Sequence, residues 1–251
     1  MPRLTVTVIT LNEARHIGDC LASVAWADER IVVDSGSTDG TPDLARRQGA
    51  RVIVRGWPGY AAQKNFAATE ARHDWILSID ADERVTPELA AEIQTRLATD
   101  PAEAGFRLPR LTHYLGRWIR VTDWYPDYQL RLYDRRRARW APRRVHESVT
   151  ADGPVGRLTH DLRHFAYRDV SHHITTIDRY TTLAAEQMLA DGRQVSAFDI
   201  LVHPPAAFLR NYILKRGWMA GAPGLIISAL NSYYVLVKLT KAWAKRSEVS
   251  P

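Results

Sequence analysis

The chain has 251 residues, 45% of them apolar and 25% charged, and a formal net charge of +6. That is the profile of an ordinary globular protein with room for one large or two small domains. Cys20 is the only cysteine, so an internal disulfide is excluded and a reducing compartment fits.

The start, Met1-Pro-Arg-Leu-Thr-Val-Thr-Val-Ile-Thr10, enters an alternating apolar run without a long hydrophobic stretch, so no signal peptide is expected. Residues 4–10 read as a first strand, and Ile17, Cys20, Leu21 and Val24 give a helical pattern. Arg30-Ile-Val-Val-Asp34 reads as a second, buried strand. It runs into the loop Ser35-Gly-Ser-Thr-Asp39-Gly40-Thr-Pro42. A short helix at 44–48, a strand at 51–55 and a helix at 61–71 follow. Strands alternating with helices imply a mostly parallel sheet with right-handed crossovers. Neither GxGxxG nor GxxxxGK[ST] occurs, which argues against a dinucleotide fold and a P-loop.

Trp75-Ile-Leu-Ser-Ile-Asp80 reads as the next buried strand, and Ala81-Asp82-Glu83 continues it. Ligands of open α/β sheets bind outside the carboxyl ends of the strands. Asp80 and Asp82 are two residues apart, so extended geometry points both carboxylates the same way. Such a pair suits a hard divalent cation, Mg²⁺ or Mn²⁺, able to bridge to a diphosphate. A solvated acidic turn is the plain alternative.

Thr86-Pro87 opens a helix within 84–104, with Thr86 as N-cap, and Gly105–Pro109 reads as a strand. Eleven Arg and three Asp lie between 107 and 144. Arginines interleaved with aromatics occur in nucleic-acid sites, but no RRM, zinc-finger or helix-turn-helix pattern accompanies them. A pocket for anionic diphosphates and phosphorylated glycolipid asks for the same chemistry. Arg135, Arg136, Arg137 and Arg139 read as a solvated basic rim. His160 and His164 have metal-ligand spacing only if their segment is helical, and His172-His173 read as structural. Residues 174–190 form an amphipathic helix.

The whole charge excess lies in the tail: residues 1–199 carry 27 basic and 27 acidic side chains, residues 200–251 seven basic and one acidic. Trp218–Val237 is uncharged but interrupted by Gly221, Pro223, Gly224, Asn231 and Ser232, a poor spanning helix. Helices lying on a membrane face are expected, with a soluble core helix and a true span as the other readings.

Four motifs in order carry a resemblance: Val6-Thr-Val-Ile-Thr-Leu-Asn12-Glu13, Val33-Asp34-Ser-Gly-Ser-Thr-Asp39-Gly-Thr, Gln63-Lys64-Asn65 and Ile79-Asp80-Ala-Asp82-Glu83. Together they resemble family 2 glycosyltransferases of the GT-A fold. Trp124-Tyr-Pro-Asp127-Tyr-Gln-Leu-Arg131-Leu with Val145-His146-Glu147 is similar to the branch of lipopolysaccharide-core β-1,4-glucosyltransferases.

The resemblance implies an α/β GT-A domain over 1–195, with a mostly parallel central sheet flanked by helices. Its nucleotide-binding half is about 1–104 and its acceptor half about 105–195. A basic, membrane-associating helical tail is expected over 196–251. Thr10, Leu11, Asn12, Glu13, Asp34, Ser35, Lys64, Asn65, Asp80 and Ala81 are then expected around a nucleotide-diphosphate sugar. Ser35 departs from the commoner Asp-Asp-Gly-Ser, which leaves open the residue contacting the base, and a turn held by Asx and Ser side chains is the alternative for 34–39. Asp82, Asp80 and His146 would hold Mg²⁺ or Mn²⁺. His146 could instead donate to the leaving phosphate. Asp127, in an aromatic setting, is the expected base, with Asp123 as rival.

The implied activity is inverting transfer of a hexose, glucose first, from a UDP-sugar to an inner-core heptose acceptor. It would act in the cytoplasm on the inner face of the cytoplasmic membrane, with no nucleic-acid partner. Peptide or polyprenyl-phosphate acceptors are alternatives within the class. A sugar-phosphate nucleotidyltransferase would need a Gly-rich activation loop after the first strand, which is missing. A basic membrane-surface binding protein on a transferase scaffold is the non-enzyme alternative, against which Asp80, Asp82 and Asp127 stand.

Overall fold

The structure, a computed structural model, describes residues 3–141 and 148–249, with side chains to residue 245. The chain divides into two compact units, one of residues 1–110 and 127–164, the other of 111–126 and 165–251.

The first unit begins β1 (Leu4–Thr10), α1 (Ile17–Ser23), β2 (Glu29–Asp34), α2 (Thr41–Arg47), β3 (Arg51–Val54), α3 (Tyr60–Thr69), β4 (Trp75–Asp80), β5 (Glu83–Val85) and α4 (Pro87–Ala98). The strand–helix alternation expected from the sequence is therefore present, and β3, β2, β1 and β4 pair in parallel. The chain continues through β6 (Gly105–Tyr114), whose last four residues belong to the second unit, and then β7 (Arg117–Ile119). β8 (Asp127–Asp134), β9 (Ala138–Ala141), β10 (Ser148–Ala151), β11 (Val155–Arg157) and β12 (Leu162–His164) return to the first unit. The main sheet has the order β3-β2-β1-β4-β8-β6-β12-β5, and β9 pairs with β10 in a small separate sheet. The antiparallel half beginning at β8 was not expected as strands. Its arginine-rich composition interrupts the apolar period-two signal.

Alternation along the strands sorts the core into two layers. Val6, Val8, Val32, Leu77 and Ile79 pack with Ile17, Leu21, Leu89, Ile93 and Leu97. Ile31, Val33, Ile76 and Tyr133 face Ala67, Ala68, Trp140 and Val149 on the other side. Thr86 caps α4 through its hydroxyl, which accepts from the Leu89 N–H, and Pro87 takes the first helical position. Leu89, Ile93 and Leu97, four apart, are buried, each contributing about 1.5–3 kcal/mol. Arg135 donates to the Ala68 and Ala71 carbonyls at the end of α3, so it is anchored there, because a helix end leaves carbonyls in need of donors. Arg136 pairs with Asp134 at 2.6 Å and stays exposed, as a solvated rim residue would.

The second unit holds α5 (Val170–Ala190), α6 (Ala197–Leu209) and α7 (Ala222–Val249), with a π-turn at Arg210–Leu214 and a 3₁₀ turn at Gly217–Ala220 between the last two. Asp169 caps α5 by accepting from the His172 N–H. His173 is buried and hydrogen-bonds Tyr114 at 2.9 Å, stacked on Tyr167 with ring centroids 4.1 Å apart. Burial, with His172 beside it, lowers the His173 pKa from 6.5 to about 4.

The folded state thus binds this proton less readily than the unfolded chain does. The neutral imidazole contributes its full stability above pH 6.5, and that is lost as pH falls from 6.5 towards 4. The difference corresponds to at most about 3 kcal/mol. Melting temperatures across that window should fall more steeply for the wild type than for His173→Gln. Parallel pH profiles would show that His173 binds its proton equally well in the folded and unfolded states.

Candidate active site

β1, β2 and β4 end level with one another: Thr10 lies opposite Asp34, and Ile9 opposite Asp80. The loops that follow β1 and β2 are laced together. The Asn12 N–H donates to Ser37 Oγ, and the Thr38 N–H donates to Asn12 Oδ1. The Glu13 N–H donates to Thr41 Oγ1, and the Ala14 N–H to Asp39. Asn12 takes φ 56°, a left-handed value that asparagine tolerates. Leu11 is exposed at the rim, and the Ser35 N–H donates to the Thr10 carbonyl.

Asp34 is 1% exposed. Its carboxylate accepts from Thr10 Oγ1, the Gly36 and Ser37 N–H groups and Ser37 Oγ. That is the turn held by Asx and Ser side chains. It presents loop backbone, rather than the carboxylate, at the strand end. Ser35 Oγ accepts from Gln63 at 3.2 Å.

Lys64 and Asn65 point into the protein. Lys64 is buried, 2.9 Å from Asp80 and 4.3 Å above the Trp140 ring. Burial lowers the Lys64 pKa despite the partner carboxylate. Asn65 gives both ends of its amide to Trp140, donating to its carbonyl and accepting from its N–H, each at 2.9 Å. The amide therefore holds β9 in place.

Asp80 is claimed by two cations, Lys64 at 2.9 Å and Arg131 at 2.7 Å. Burial opposes ionisation, but Arg131 and Lys64 overcome it and hold the Asp80 carboxyl well below the usual carboxylate range. Glu83, fully buried, accepts from the Asp80 N–H at 2.9 Å, and pairs with Arg131 at 3.2 Å and Arg110 at 3.5 Å. Arg110 pairs with Asp127 at 2.7 Å through Nη2, while its Nε donates to the same carboxylate oxygen at 2.9 Å. Gln129 donates to the other Asp127 oxygen at 2.6 Å. The result is an alternating run, Lys64–Asp80–Arg131–Glu83–Arg110–Asp127.

Sequence reasoning did not assign roles to Glu83, Arg110, Arg131 or His164. Asp127, Gln129 and Arg131 are two apart on β8 and share one face, and Arg110 lies directly opposite Asp127 across the antiparallel pair. The i, i+2, i+4 spacing was readable; the cross-strand register was not. The Nε and Nη1 of Arg131 are buried without a hydrogen-bond partner among the described residues.

Asp82 lies apart from this run and faces His164, with Oδ2 3.4 Å from Nε2. Burial opposes its charge, but His164 by charge and hydrogen bond brings the Asp82 pKa below the usual value. His164 sits on β12, paired with Glu83 of β5, so strand register rather than helical spacing brings it here. His160 instead pairs with Glu92 at 2.9 Å. Carboxylate plus imidazole is a donor pair that suits a divalent cation. No cluster of three His, Cys, Asp or Glu side chains able to hold a metal occurs among the described residues. His146 lies outside the described residues. The rival base Asp123 is bonded within the second unit, 3.2 Å from Arg210 and 3.3 Å from Asn231.

A parallel α/β half with laced loops at its strand ends, extended by antiparallel strands, is the fold of the GT-A glycosyltransferases. The comparisons agree with this. The model of glycosyl transferase family 2 matches residues 5–150, and the chain belongs to that family. It is 30% identical to the lipopolysaccharide core biosynthesis glycosyltransferase LpsC of Rhizobium meliloti, over 97% of this chain and 93% of the relative. It is 29% identical to an uncharacterized glycosyltransferase of Rickettsia felis, over 96% and 89%. The mannosyltransferase PcManGT of Pyrobaculum calidifontis, solved with GDP-Man and Mn²⁺, superposes with a TM-score of 0.58 at 16% identity, covering 97% and 88%. The chain is thus a glycosyltransferase related to an enzyme of lipopolysaccharide core biosynthesis.

Removing the charge of Glu83 leaves Arg110 and Arg131 without their shared counter-charge. Glu83→Gln should therefore cost about 3–5 kcal/mol in denaturant unfolding. A cost under about 1 kcal/mol would mean that the two arginines are balanced without Glu83.

Proposed function

We propose that this chain is an inverting, metal-dependent hexosyltransferase that moves a hexose, glucose first, from a UDP-sugar to an inner-core heptose of a lipopolysaccharide acceptor. It would work at the inner face of the cytoplasmic membrane. The observation that carries the reading is the Asp127 carboxylate, half-buried yet fixed by Arg110 and Gln129 in the same unit as the Asp82–His164 pair. The acceptor class is supported by the kinship to LpsC, a lipopolysaccharide core enzyme by name.

In this reading the 10–14 and 34–41 loops receive the nucleotide, and Asp34 keeps their backbone in shape. Lys64, Asp80 and Arg131 set the floor under the diphosphate. Asp82 and His164 would hold Mg²⁺ or Mn²⁺, which would supply positive charge to stabilise the leaving diphosphate. Asp127 takes the proton of the acceptor hydroxyl. The acceptor oxygen forms its bond to the anomeric carbon as the bond to the diphosphate oxygen breaks on the opposite face, so the configuration inverts and UDP leaves. Arg110 and Gln129 keep the Asp127 carboxylate from rotating out of line, a contribution of positioning rather than of proton transfer.

Asp82→Ala should abolish the Mn²⁺-dependent part of UDP binding in calorimetry run with and without the ion. A mutant that binds UDP–Mn²⁺ like the wild type would remove Asp82 from the metal site.

Asp127→Asn keeps shape while removing the base. Turnover of donor plus acceptor should fall by about two to four decades with donor affinity nearly unchanged, and the melting temperature should fall less than in Glu83→Gln because Arg110 keeps Glu83 as partner. Asp123→Asn should lose far less. The reverse order of the two mutants would transfer the role of base to Asp123.

A further inference from the structure

In the second unit, α6 starts at a capping box: Ser196 accepts from the Asp199 N–H while the Asp199 carboxylate accepts from the Ser196 N–H. The following turn is tight. A Cβ on Gly224 would overlap the Gly217 carbonyl, and one on Gly217 would crowd the Asn211 carbonyl and Ser228. Glycine at both positions lets the end of α6 and the start of α7 close on each other, so the 209–225 turn is a built tip and not slack chain.

What the tip presents is apolar. Among the described residues nine of the twenty exposed large apolar side chains fall between 198 and 225. Phe198, Leu201 and Leu214 are 70%, 72% and 76% exposed. Phe198, Leu201, Val202, Pro205 and Leu209 recur three or four apart, so they line one outward stripe of α6. The stripe is continued by Ile213, Leu214, Trp218, Met219 and Leu225. A contiguous apolar face of this kind marks a contact surface.

The charges choose the partner. Lys215 and Arg216 are exposed within the stripe, and no acid occurs between residues 200 and 247. Arg210 also lies at its edge, paired with Asp123. Asp199, nearest in sequence, is taken by the capping box and lies 3.7 Å from His203. A two-fold contact with a second copy would set cations against cations with no acid to receive them. An anionic lipid surface takes both features at once: its headgroups receive Lys215 and Arg216, and its acyl boundary receives the leucines and Trp218.

α7 is long and apolar enough between Ala222 and Lys245 to cross a membrane. Its contacts argue for lying beside the other helices instead. Lys241 bonds Asp178 at 2.6 Å and Thr182 at 2.8 Å on α5, Lys245 pairs with Glu186 at 2.7 Å, and Leu239 and Ala242 are buried with Ala185 and Met188. A span would break all of these.

We infer that the outward stripe of α6 and the 209–225 tip insert one-sidedly into an anionic bilayer surface, with Lys215 and Arg216 at headgroup level. The tip would bring the enzyme to a lipid-anchored acceptor, and for that purpose it rests on the glycolipid reading. The test separates the two, because vesicle binding and UDP–Mn²⁺ binding are measured independently.

The full chain is floated with vesicles of phosphatidylcholine alone and with vesicles containing about a quarter phosphatidylglycerol, at low and high salt. Two variants are compared, Lys215→Glu/Arg216→Glu and Leu209→Ser/Leu214→Ser/Trp218→Ser. The wild type should bind the anionic vesicles, weaken with salt and keep a salt-resistant part. The charge variant should lose at least about tenfold in affinity for anionic vesicles. The apolar variant should lose the salt-resistant part. Both should keep the wild-type melting temperature and UDP–Mn²⁺ affinity, since every substituted side chain is exposed. Absence of wild-type binding to anionic vesicles, or variants that bind like the wild type, would overturn the inference. So would a stable dimer that the apolar variant converts to monomer without any vesicle binding. Loss of UDP–Mn²⁺ binding by Asp82→Ala, or its survival, leaves the lipid result untouched.

Discussion

The buried Glu83 carboxylate is the constraint on which the site depends. It sits under two arginines from two different strands, Arg110 on β6 and Arg131 on β8, and takes the backbone N–H at the end of a third, β4. A charge out of water is tolerated only with such partners, because its desolvation costs several kcal/mol. Once Glu83 is in place, Arg131 is committed to Asp80 on one side and Arg110 to Asp127 on the other. Asp80 is then neutralised, and Asp127 stands as a carboxylate whose orientation is set from two directions. Asp82, two residues from Asp80, escapes this run because the pleat is interrupted by the turn between β4 and β5, and it meets His164 on β12 instead. The two aspartates of one short motif thus have different electrostatic surroundings and are suited to different work.

The same economy holds at the loops. Asp34 gives its carboxylate to N–H groups of its own loop, and Asn12 and Asp39 give their side-chain oxygens to N–H groups of the neighbouring loop. What they leave at the strand ends is a stiff backbone rim. For a phosphate-rich donor this is an advantage, since a preformed rim costs less to order on binding than one that must be assembled. The second unit follows a different logic. Its core is a cluster of aromatic rings around His173 and a helix pair, while the outer stripe of α6 stays apolar and exposed.

Much of the first unit was legible in the chain itself. The strands at 4–10, 30–34, 51–55 and 75–80 were found with boundaries within a residue, because buried parallel strands are continuous apolar runs closed by loop residues. The Thr86 cap and Pro87 were legible for the same local reason. From β6 onward only the start of β6 was legible, and β7 to β12 were not. Short, charged and paired with partners far away in sequence, they owe their conformation to neighbours rather than to their own pattern. His164 shows the limit most clearly: its spacing from His160 suited a ligand pair only on a helix, yet it lies on a strand and faces Asp82.

By itself the sequence determined the class of fold, the family, the aspartates at the end of β4 and the concentration of positive charge in the tail, since each of these is written in short runs of neighbouring residues. Only the tertiary structure decided which acid meets which base. Glu83 with Arg110 and Arg131, Arg110 with Asp127, Lys64 with Asp80 and Asp82 with His164 are separated by 16 to 82 positions. Their pairing follows from strand register and from the cost of burying a charge alone, and neither is visible in a one-dimensional pattern.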